Sequence, residues 1–313
     1  MIRNPSISFL VAGSMENGIV DESIRLINSI LLHSSCPIHF HIVTGHGSAT
    51  PLQHHFSLLQ FHGVHNFNHF TKDLDIDWVE ESLHDLELEH HSGPYGYSKL
   101  LLDKIWPELD HGLFLDTDMI VTADPCPYFK SLLKEMRKDK RGLAMAYQFD
   151  NVKSKVSHMK YKCSGTLFFN FKDIRQSNLM DDGIRFAYNK RYPDGLPSKE
   201  LIGRKAHFVT RGDQDYFWML TLEFPKQTWP ISMSWSLEFC HKFHGYRIPT
   251  LLNSTSTLDS FGDPLFMGAL HLNCLGFTDR PAIESSFPEF KQVIDFYSNL
   301  NPFLVSQIKR ISA

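Results

Sequence analysis

An apolar run that leads directly into two carboxylates constrains this chain more than any other feature. Residues 112–115 predict a buried β-strand, and Asp116-Thr117-Asp118 follows it without a gap. Two carboxylates this close repel each other unless a cation lies between them, and Mg²⁺ and Mn²⁺ prefer oxygen ligands. In open α/β sheets, ligands bind at the carboxyl ends of the strands. The pattern therefore predicts a metal site at that edge, although acidic pairs also cap turns and helices.

The chain begins with the order strand, helix, strand. Residues 6–11 and 38–44 are rich in β-forming side chains. Residues 21–33, between them, carry apolar side chains at helical spacing, with Asp21 as the predicted N-cap. This order indicates a parallel α/β sheet.

The same criteria predict further elements along the chain, while residues 50–92 and 176–210 show no clear periodicity. The predicted elements are a helix at 97–106 ended by Pro107, a strand at 120–122, a helix at 128–141, strands at 143–147 and 166–171, a helix within 212–222, a strand at 268–272 and an amphipathic helix at 290–297. No internal repeat is found. We therefore expect one α/β domain with an irregular C-terminal portion.

Composition is that of a globular protein without a strong basic field. The chain has 313 residues, of which 42% are hydrophobic, enough to bury a full core. The formal net charge is −4 at pH 7, so no nucleic-acid partner is predicted. No apolar run approaches the roughly 20 residues that cross a bilayer, so no transmembrane segment is predicted. The oligomeric state is left open.

The cysteines bear on the cellular compartment. The five cysteines are scattered and include no C-x-x-C pair. Such a set argues against a zinc site and against a disulfide-stapled scaffold, while one or two bridges remain open. As a complete chain the protein is expected in the cytoplasm. As a trimmed part of a longer chain it would fit the Golgi or ER lumen, in keeping with the sequon at Asn253-Ser254-Thr255.

Other charged and histidine-rich runs carry no recognisable chemistry. The pairs His54-His55 and His90-His91 lack metal-ligand spacing, and we predict that they lie on the surface. The charged stretch 134–141 is predicted to be a solvated helix face.

A strand that ends in D-x-D fits two classes of enzyme. Dehalogenase-type phosphatases use the first Asp as a nucleophile, but their motif lies near the N-terminus and has Thr or Val two residues after the second Asp. Here Ile120 takes that position, and a strand–helix–strand unit precedes the motif. A nucleotide-binding half is expected to precede a donor site in this way. The phosphatase therefore stays a remote alternative.

Short motifs in a set order make the chain resemble glycosyltransferase family 8. The resemblance is to the glucoside xylosyltransferases and to the xylosyltransferase domain of LARGE-type enzymes, and it extends from about Ser6 to Asn299. Besides the D-x-D strand, the matching stretches are residues 39–42 (HFHI), 95–100 (YGYSKL), 164–165 (SG), 212–215 (GDQD) and 271–273 (HLN). The resemblance implies a Rossmann-like glycosyltransferase type A fold, with a mostly parallel central sheet flanked by helices. It implies a single domain over residues 1–313, with a nucleotide-binding half at 1–125 and an acceptor and sugar half at 126–313.

The resemblance also implies a role for particular residues. Asp116, Asp118 and His271 would bind Mn²⁺ or Mg²⁺ and so hold the two phosphates of a UDP-sugar. Lys99, Asp213 and Gln214 would act at the donor, with Asp213 and Gln214 bonding sugar hydroxyls near the anomeric carbon. Further contacts to the donor are expected from Ala12, Gly13, Thr117, Asn273 and Gly276.

Two positions depart from the family pattern. Cys163 stands where the family has Asn before Ser/Thr-Gly, and the Lys that usually follows His271 is absent, with Arg280 the nearest cation. These departures keep a second hypothesis open, a non-catalytic relative that binds a nucleotide-sugar or a glycan.

The resemblance implies a retaining transfer of a sugar from a UDP-sugar to a hydroxyl of a glycan or glycoprotein. Xylose is the first expectation for the sugar, with glucose or galactose as alternatives, because one hydroxymethyl group changes binding by only about 1–3 kcal/mol. We favour attack from the face of the leaving group, because Gln214 is a poor nucleophile.

Overall fold

Parallel strands alternate with helices through the first half of the chain. The computed structural model describes residues 7–13, 18–45, 49–83, 86, 93–147, 162–191, 213–231, 235, 237–238, 268–272 and 288–312. The strands are β1 (Ile7–Ala12), β2 (Ile38–Thr44), β3 (Phe67–Asp73), β4 (Gly112–Leu115), β5 (Met119–Val121), β6 (Leu143–Tyr147), β7 (Lys162–Phe169), β8 (Thr228–Ile231), β9 (Leu237–Glu238) and β10 (Ala269–His271). The helices are α1 (Ile19–His33), α2 (Thr50–Phe61), α3 (Ile76–Leu83), α4 (Gly93–Tyr97), α5 (Leu102–Ile105), α6 (Pro125–Lys138), α7 (Phe171–Ser177), α8 (Leu179–Arg191), α9 (Asp213–Glu223), α10 (Pro288–Ser298) and α11 (Pro302–Ser312).

The main sheet has seven strands in the order β3-β2-β1-β4-β7-β6-β8. Strands β3, β2, β1 and β4 are parallel to one another, β7 is antiparallel to both β4 and β6, and β8 is parallel to β6. The predicted Rossmann-like, mostly parallel sheet is therefore confirmed. The strand order reverses between β1 and β4, which is the place where open α/β sheets bind ligands.

A second sheet connects the C-terminal part of the chain to the D-x-D motif. It has the order β5-β10-β9, with β10 antiparallel to β5. In this register His271 pairs with Met119, the residue after Asp118. A histidine about 150 residues further along the chain is therefore placed beside the two carboxylates.

Two apolar cores cover the two faces of the main sheet. Successive strand residues point to opposite faces, so Phe9 belongs to one core and Leu10 to the other. The first core contains α1, α2, α6 and the C-terminal helices, and Phe40 lies at its centre between Phe56 and Phe67. The second core contains α3, α5, α7 and α9. Helices on both faces leave only the sheet edges for ligands.

Three predicted helices differ from the structure, and the one predicted at 128–141 is α6, which begins and ends three residues earlier. Helix α1 begins at Ile19, after the left-handed Gly18, so Asp21 lies in the first turn and is not the N-cap. An acidic side chain there still interacts favourably with the helix dipole. The helix predicted at 97–106 is instead α4, a 3₁₀ turn at Ser98–Leu101, and α5. The Ser98 hydroxyl donates to the Tyr95 carbonyl at 2.6 Å, a local bond that competes with regular α-helix.

The surface prediction for His55 is wrong. His55 lies in α2 and is buried, with its Nε2 2.8 Å from Oδ1 of buried Asn28. Its neighbour His54 is exposed as predicted, and His90 and His91 lie outside the described residues. The error arises because residues 50–92 contain α2, β3 and α3, which the sequence pattern did not predict.

One disulfide is present among the described residues. It joins Cys36, just before β2, to Cys126 in the first turn of α6, and the two are 90 residues apart. Asp124 caps α6 by accepting from the N–H of Cys126, and it also accepts from the N–H of Ser35. One of the bridges left open by the cysteine count is therefore formed.

None of the described helices is both long enough and apolar enough to cross a lipid bilayer.

Candidate metal and donor site

The D-x-D segment is a tight turn between the two sheets. Asp116 follows β4, and its N–H donates to the carbonyl of Gly165 in β7 at 3.0 Å. The N–H of Met119 donates to the carbonyl of Asp116 at 3.2 Å and closes the turn. The N–H of Leu272, after β10, donates to the carbonyl of Asp118 at 3.0 Å. Strands from both sheets therefore fix the positions of both carboxylates.

His271 completes a cluster of three potential metal ligands. Its Nε2 lies 3.2 Å from Oδ1 of Asp118 and 3.5 Å from Oδ2 of Asp116. One ligand atom from each of the three residues lies within 4.8 Å of the other two, and His271 is buried. Adjacent ligands of an octahedral cation with bonds near 2.1 Å are about 3.0 Å apart. The spacing and the mixture of two carboxylates with one imidazole therefore fit a cation such as Mn²⁺ or Mg²⁺.

Gly165 leaves the space that this cluster needs. A Cβ at this position would lie 2.3 Å from Cε1 of His271 and 3.0 Å from Oδ2 of Asp116. Any other residue would displace one of the two ligands. The glycine of the Ser164-Gly165 motif is thus explained by a close approach of β7 to the cluster.

Lys99 and Asp213 lie directly against the carboxylates. Nζ of Lys99 is 2.7 Å from Oδ1 of Asp116 and 2.8 Å from Oδ2 of Asp213, and both Lys99 and Asp213 are buried. Burial opposes the charged form of Lys99, but Asp116 and Asp213 outweigh it and raise the pKa of the Lys99 ammonium. Gln214 follows Asp213 in the first turn of α9. Lys99 and Asp213 thus come together beside the predicted metal ligands, and Gln214 is the next residue along the chain.

The pKa values of the two carboxylates in the D-x-D turn are shifted in opposite directions. Burial raises the pKa of Asp116, and Lys99 and His271 only partly offset this effect. Burial also opposes ionisation of Asp118, but the charge and hydrogen bond of His271 outweigh it and lower the pKa of Asp118. Three carboxylates, those of Asp116, Asp118 and Asp213, share the Lys99 ammonium and the His271 imidazole, an arrangement that a bound cation would stabilise further.

The carboxyl end of β1 lies at the same edge. Leu10 pairs with Phe114, so Ala12 and Asp116 leave the sheet side by side. The N–H of Gly13 donates to the carbonyl of Val43 at 3.1 Å, which continues the β1–β2 pairing by one residue. The predicted donor contacts at Ala12 and Gly13 are therefore placed next to the D-x-D turn.

Glu22 is a residue at this site that the sequence analysis missed. It lies in the first turn of α1, and its Oε2 accepts from the hydroxyl of Thr117 at 3.1 Å. Burial, followed by the charge of Asp118, raises the pKa of Glu22. A signal was available, because α1 starts at the carboxyl edge of β1 and Glu22 is an acidic residue in its first turn.

The remaining predicted positions are not all described. Asn273, Gly276 and Arg280 lie outside the described residues. The backbone of Cys163 is in β7 opposite Ala146, beside a shift in register between β6 and β7. Such irregularities are common next to active sites, because they redirect the strand.

Solved glycosyltransferase structures share the fold of this chain. Mouse xyloside xylosyltransferase 1, in its apo form, has a TM-score of 0.60 to this chain and covers 87% of it and 99% of its own length, at 15% identity. The galactosyltransferase LgtC, in complex with donor and acceptor sugar analogues, has a TM-score of 0.54, covering 85% of this chain and 86% of its own, at 16% identity. At these identities the likeness concerns the fold alone.

The chain belongs to glycosyltransferase family 8. The model of that family, described as "Glycosyl transferase family 8", matches residues 14–242, which is more than half of the chain. The resemblance drawn from the short motifs is thereby confirmed, and the family favours a glycosyltransferase over the phosphatase alternative.

Two curated relatives match a shorter stretch. The xylosyl- and glucuronyltransferase LARGE2s of Gallus gallus is 32% identical over 104 residues, and LARGE1 of Danio rerio is 32% identical over 103 residues. Each match covers 32% of this chain and 13% of the relative. The similarity to these enzymes therefore concerns a small part of their length.

Proposed function

We propose that this protein is a retaining, metal-dependent glycosyltransferase that moves a sugar from a UDP-sugar to a hydroxyl of a glycan or glycoprotein. One observation carries the proposal: Asp116, Asp118 and His271 converge beside the Lys99–Asp213 pair at the edge where the strand order reverses. Residues 1–125 would bind the nucleotide, and residues 126–313 would bind the sugar and the acceptor.

The three clustered residues are proposed to hold Mn²⁺ or Mg²⁺. When bound, such a cation supplies electrostatic stabilisation to a diphosphate leaving group. Gly165 supports this assignment, because its missing side chain is what allows His271 to approach Asp116.

Lys99 is proposed to hold Asp116 and Asp213 at fixed positions. Its ammonium contacts one oxygen of each carboxylate, so rotation of either side chain would break a buried, charge-assisted hydrogen bond. A preorganised arrangement of charges of this kind lowers the barrier of a reaction that develops charge. Asp213 and Gln214 would then present hydrogen-bonding groups to the hydroxyls of the donor sugar.

The pairing of Asp213 also supports attack from the face of the leaving group. The Lys99 ammonium bonds Oδ2 of Asp213 and draws negative charge from this carboxylate, which makes it a weaker nucleophile and leaves Oδ1 to accept from a sugar hydroxyl. Gln214 is a poor nucleophile. We therefore assign both residues to sugar binding and assign stereochemical retention to direct attack by the acceptor hydroxyl.

UDP-xylose is the proposed donor, with UDP-glucose and UDP-galactose as alternatives. The names of the two curated relatives and of the mouse structure all include xylosyl transfer. Ala12 and Gly13 would contact the base at the end of β1, and Thr117, held by Glu22, would contact the ribose region. Asn273 and Gly276 remain expected contacts to the diphosphate.

A panel of UDP-sugars tests the proposal. Release of UDP is measured with Mn²⁺, with Mg²⁺ and with EDTA, for the wild type, for Asp118→Asn and for Asp139→Asn. Asp139 is an exposed carboxylate at the end of α6 and serves as the matched control. We expect metal-dependent release from one donor, at least about 100-fold slower in Asp118→Asn and unchanged in Asp139→Asn.

Cys163, in place of the family's Asn, favours a second candidate, a relative that binds a nucleotide-sugar or a glycan without turnover. In that case the folded protein would bind Mn²⁺ and UDP but release no UDP from any donor in the panel. Cys163→Asn separates the two candidates, because activity gained in this variant would assign the loss to that position.

The disulfide supports an oxidising compartment, such as the Golgi or ER lumen, over the cytoplasm. Cytosolic thiols are kept reduced, whereas Cys36 and Cys126 are bonded to each other. Alkylation of free thiols in intact cells, followed by mass spectrometry of the Cys36 peptide, tests this assignment. An alkylated Cys36 would place the protein in a reducing compartment.

A further inference from the structure

A cavity lies at the edge of the main sheet opposite the carboxylate cluster. Its volume is about 290 Å³, and it opens between α6 and the amino ends of the strands. The residues that line it are Ile7, His111, Phe129, Lys130, Leu133, Lys134, Arg137 and Phe168. His111 directly precedes β4 and Asp116 directly follows it, so the cavity and the cluster are roughly 16 Å apart along the strand.

The inner wall of the cavity is apolar and rigid. Ile7, Phe129 and Phe168 are almost fully buried, and the rings of Phe129 and Phe168 stack with their centroids 5.8 Å apart. Leu133 extends this wall towards the opening. Such a wall favours an apolar body and offers few hydrogen-bonding groups to a sugar or a nucleotide.

The rim of the cavity is positively charged. Lys130, Lys134 and Arg137 follow each other at spacings of four and three residues, so they share one face of α6. No carboxylate lines the cavity, and no described carboxylate lies within salt-bridge distance of these three side chains. Like charges at this spacing repel each other, so an anion held between them would be stabilised.

We propose that this cavity binds a small amphipathic anion, with the apolar body against Leu133 above the buried Phe129–Phe168 pair and the acidic head between Lys134 and Arg137. A volume near 290 Å³ is at the small end of ligand pockets and suits about ten to fifteen non-hydrogen atoms. The guanidinium of Arg137 offers the paired donors that suit a carboxylate or phosphate head. The predicted solvated face at 134–141 is exposed at both Lys134 and Arg137, and the proposal does not depend on the proposed transfer reaction.

Isothermal titration calorimetry on the full chain tests the proposal with decanoate as the probe. Decan-1-ol has the same apolar body without the charge, and acetate has the charge without the body. We expect decanoate to bind at least about 10-fold more tightly than either, and the preference over decanol to shrink as salt is raised. Equal binding of decanol and decanoate would overturn the proposal, and so would the absence of binding to both decanoate and anionic vesicles.

Charge reversal on the rim locates the site. Lys134→Glu with Arg137→Glu is expected to weaken decanoate binding at least about 10-fold, whereas Lys138→Glu, also exposed on α6, is the matched control and should leave binding unchanged. Both rim side chains are exposed, so the variants are expected to fold, and circular dichroism checks this. Loss of binding in Lys138→Glu to the same extent would assign the effect to overall charge and contradict the proposed site.

A vesicle-binding experiment shows whether the bound anion is a free acid or a lipid in a membrane. Flotation with phosphatidylserine vesicles, compared with phosphatidylcholine vesicles, measures recruitment of the wild type and of the rim variant. Recruitment that the rim variant loses identifies an anionic lipid as the source of the ligand. Binding of decanoate without recruitment identifies a free amphiphile.

Discussion

At the scale of the residue, the site depends on how closely its side chains approach each other as much as on which residue types they are. Asp116 and Asp118 could be predicted as metal ligands from the sequence, because two carboxylates at the end of a buried strand are typical of a metal site. Lys99 and Gly165 have no such signature, and their roles follow from contacts made across 114 and roughly 100 residues of chain. Contacts at such separations depend on the tertiary fold, so only the family resemblance could indicate them beforehand.

Gly165→Ala tests the closest of these contacts. The added Cβ would meet His271 at 2.3 Å, so we expect the imidazole to move and the affinity for Mn²⁺ to fall about 10–100-fold. Titration calorimetry with MnCl₂ measures this change. Gly142→Ala is the matched control, because its Cβ would meet Ile174 at 2.8 Å, away from the cluster, and should lower stability without changing metal affinity. Unchanged affinity in Gly165→Ala would argue against His271 as a ligand.

Two buried histidines predict how stability depends on pH. Burial, followed by the neighbouring His54, lowers the pKa of His55 to about 4, and burial, followed by His39, lowers the pKa of His41 to about 4. The unfolded chain takes up protons near pH 6.5, whereas the folded chain does so only near pH 4. Stability is therefore full above about pH 6.5 and is lost as the pH falls towards 4, by at most about 3 kcal/mol for each histidine.

Urea unfolding between about pH 7 and pH 5 measures this slope. His55→Gln, which can still bond Asn28, is expected to show a shallower loss of unfolding free energy than the wild type. His54→Gln changes the exposed neighbour and should follow the wild type closely. An identical slope in all three proteins would mean that His55 is already protonated in the folded state at mildly acidic pH.

At the scale of the element, the bounds of mainly buried strands were predicted correctly. Strands β4 and β6 have the predicted bounds because they are continuous runs of apolar residues, and β2 has them because its apolar residues alternate with His39 and His41. Strand β3 was missed because it lies at the edge of the sheet, where polar residues alternate irregularly. The three-stranded sheet was also missed as a unit, because its β5–β10 pairing joins segments about 150 residues apart and leaves no local pattern.

The start of α6 gives a prediction at this scale. Asp124 caps the helix at the N–H of Cys126 and bonds the N–H of Ser35, so Asp124→Ala removes two acceptor contacts. We expect the free energy of unfolding to fall by about 1–2 kcal/mol in urea titrations. Asp139→Ala at the other end of the same helix contributes only its backbone to the cap and should cost less than about 0.5 kcal/mol. Equal losses would indicate that the side chain of Asp124 is not a cap in solution.

At the scale of the whole molecule, the disulfide joins the residue just before β2 to the first turn of α6. It closes a loop of 90 residues between the start of β2 and α6. Five scattered cysteines could not identify the pair, since sequence spacing alone does not determine connectivity. The pairing follows only from the tertiary fold, which brings Cys36 next to Cys126.

Removal of this bridge should destabilise the protein by about 2–4 kcal/mol, because the unfolded chain regains conformational freedom. Urea unfolding of the wild type, of Cys36→Ser with Cys126→Ser and of the wild type with a reductant measures the loss. The reduced wild type and the double variant should agree. Full stability in both would show that packing around α6 alone holds these elements together.

A cation bound at the D-x-D turn would affect the stability of the protein. The turn joins the last residue of a strand in the seven-stranded sheet to the first residue of a strand in the three-stranded sheet, and His271 belongs to the latter. A cation bound by Asp116 and His271 would therefore cross-link two layers of the molecule that otherwise meet through backbone pairing and side-chain packing. Because the ion would bind only the folded state, binding would also stabilise the protein. At a free ion concentration 100 times the dissociation constant, the free energy of unfolding rises by about 2.7 kcal/mol. A chelator would consequently lower the melting temperature as well as stop the reaction.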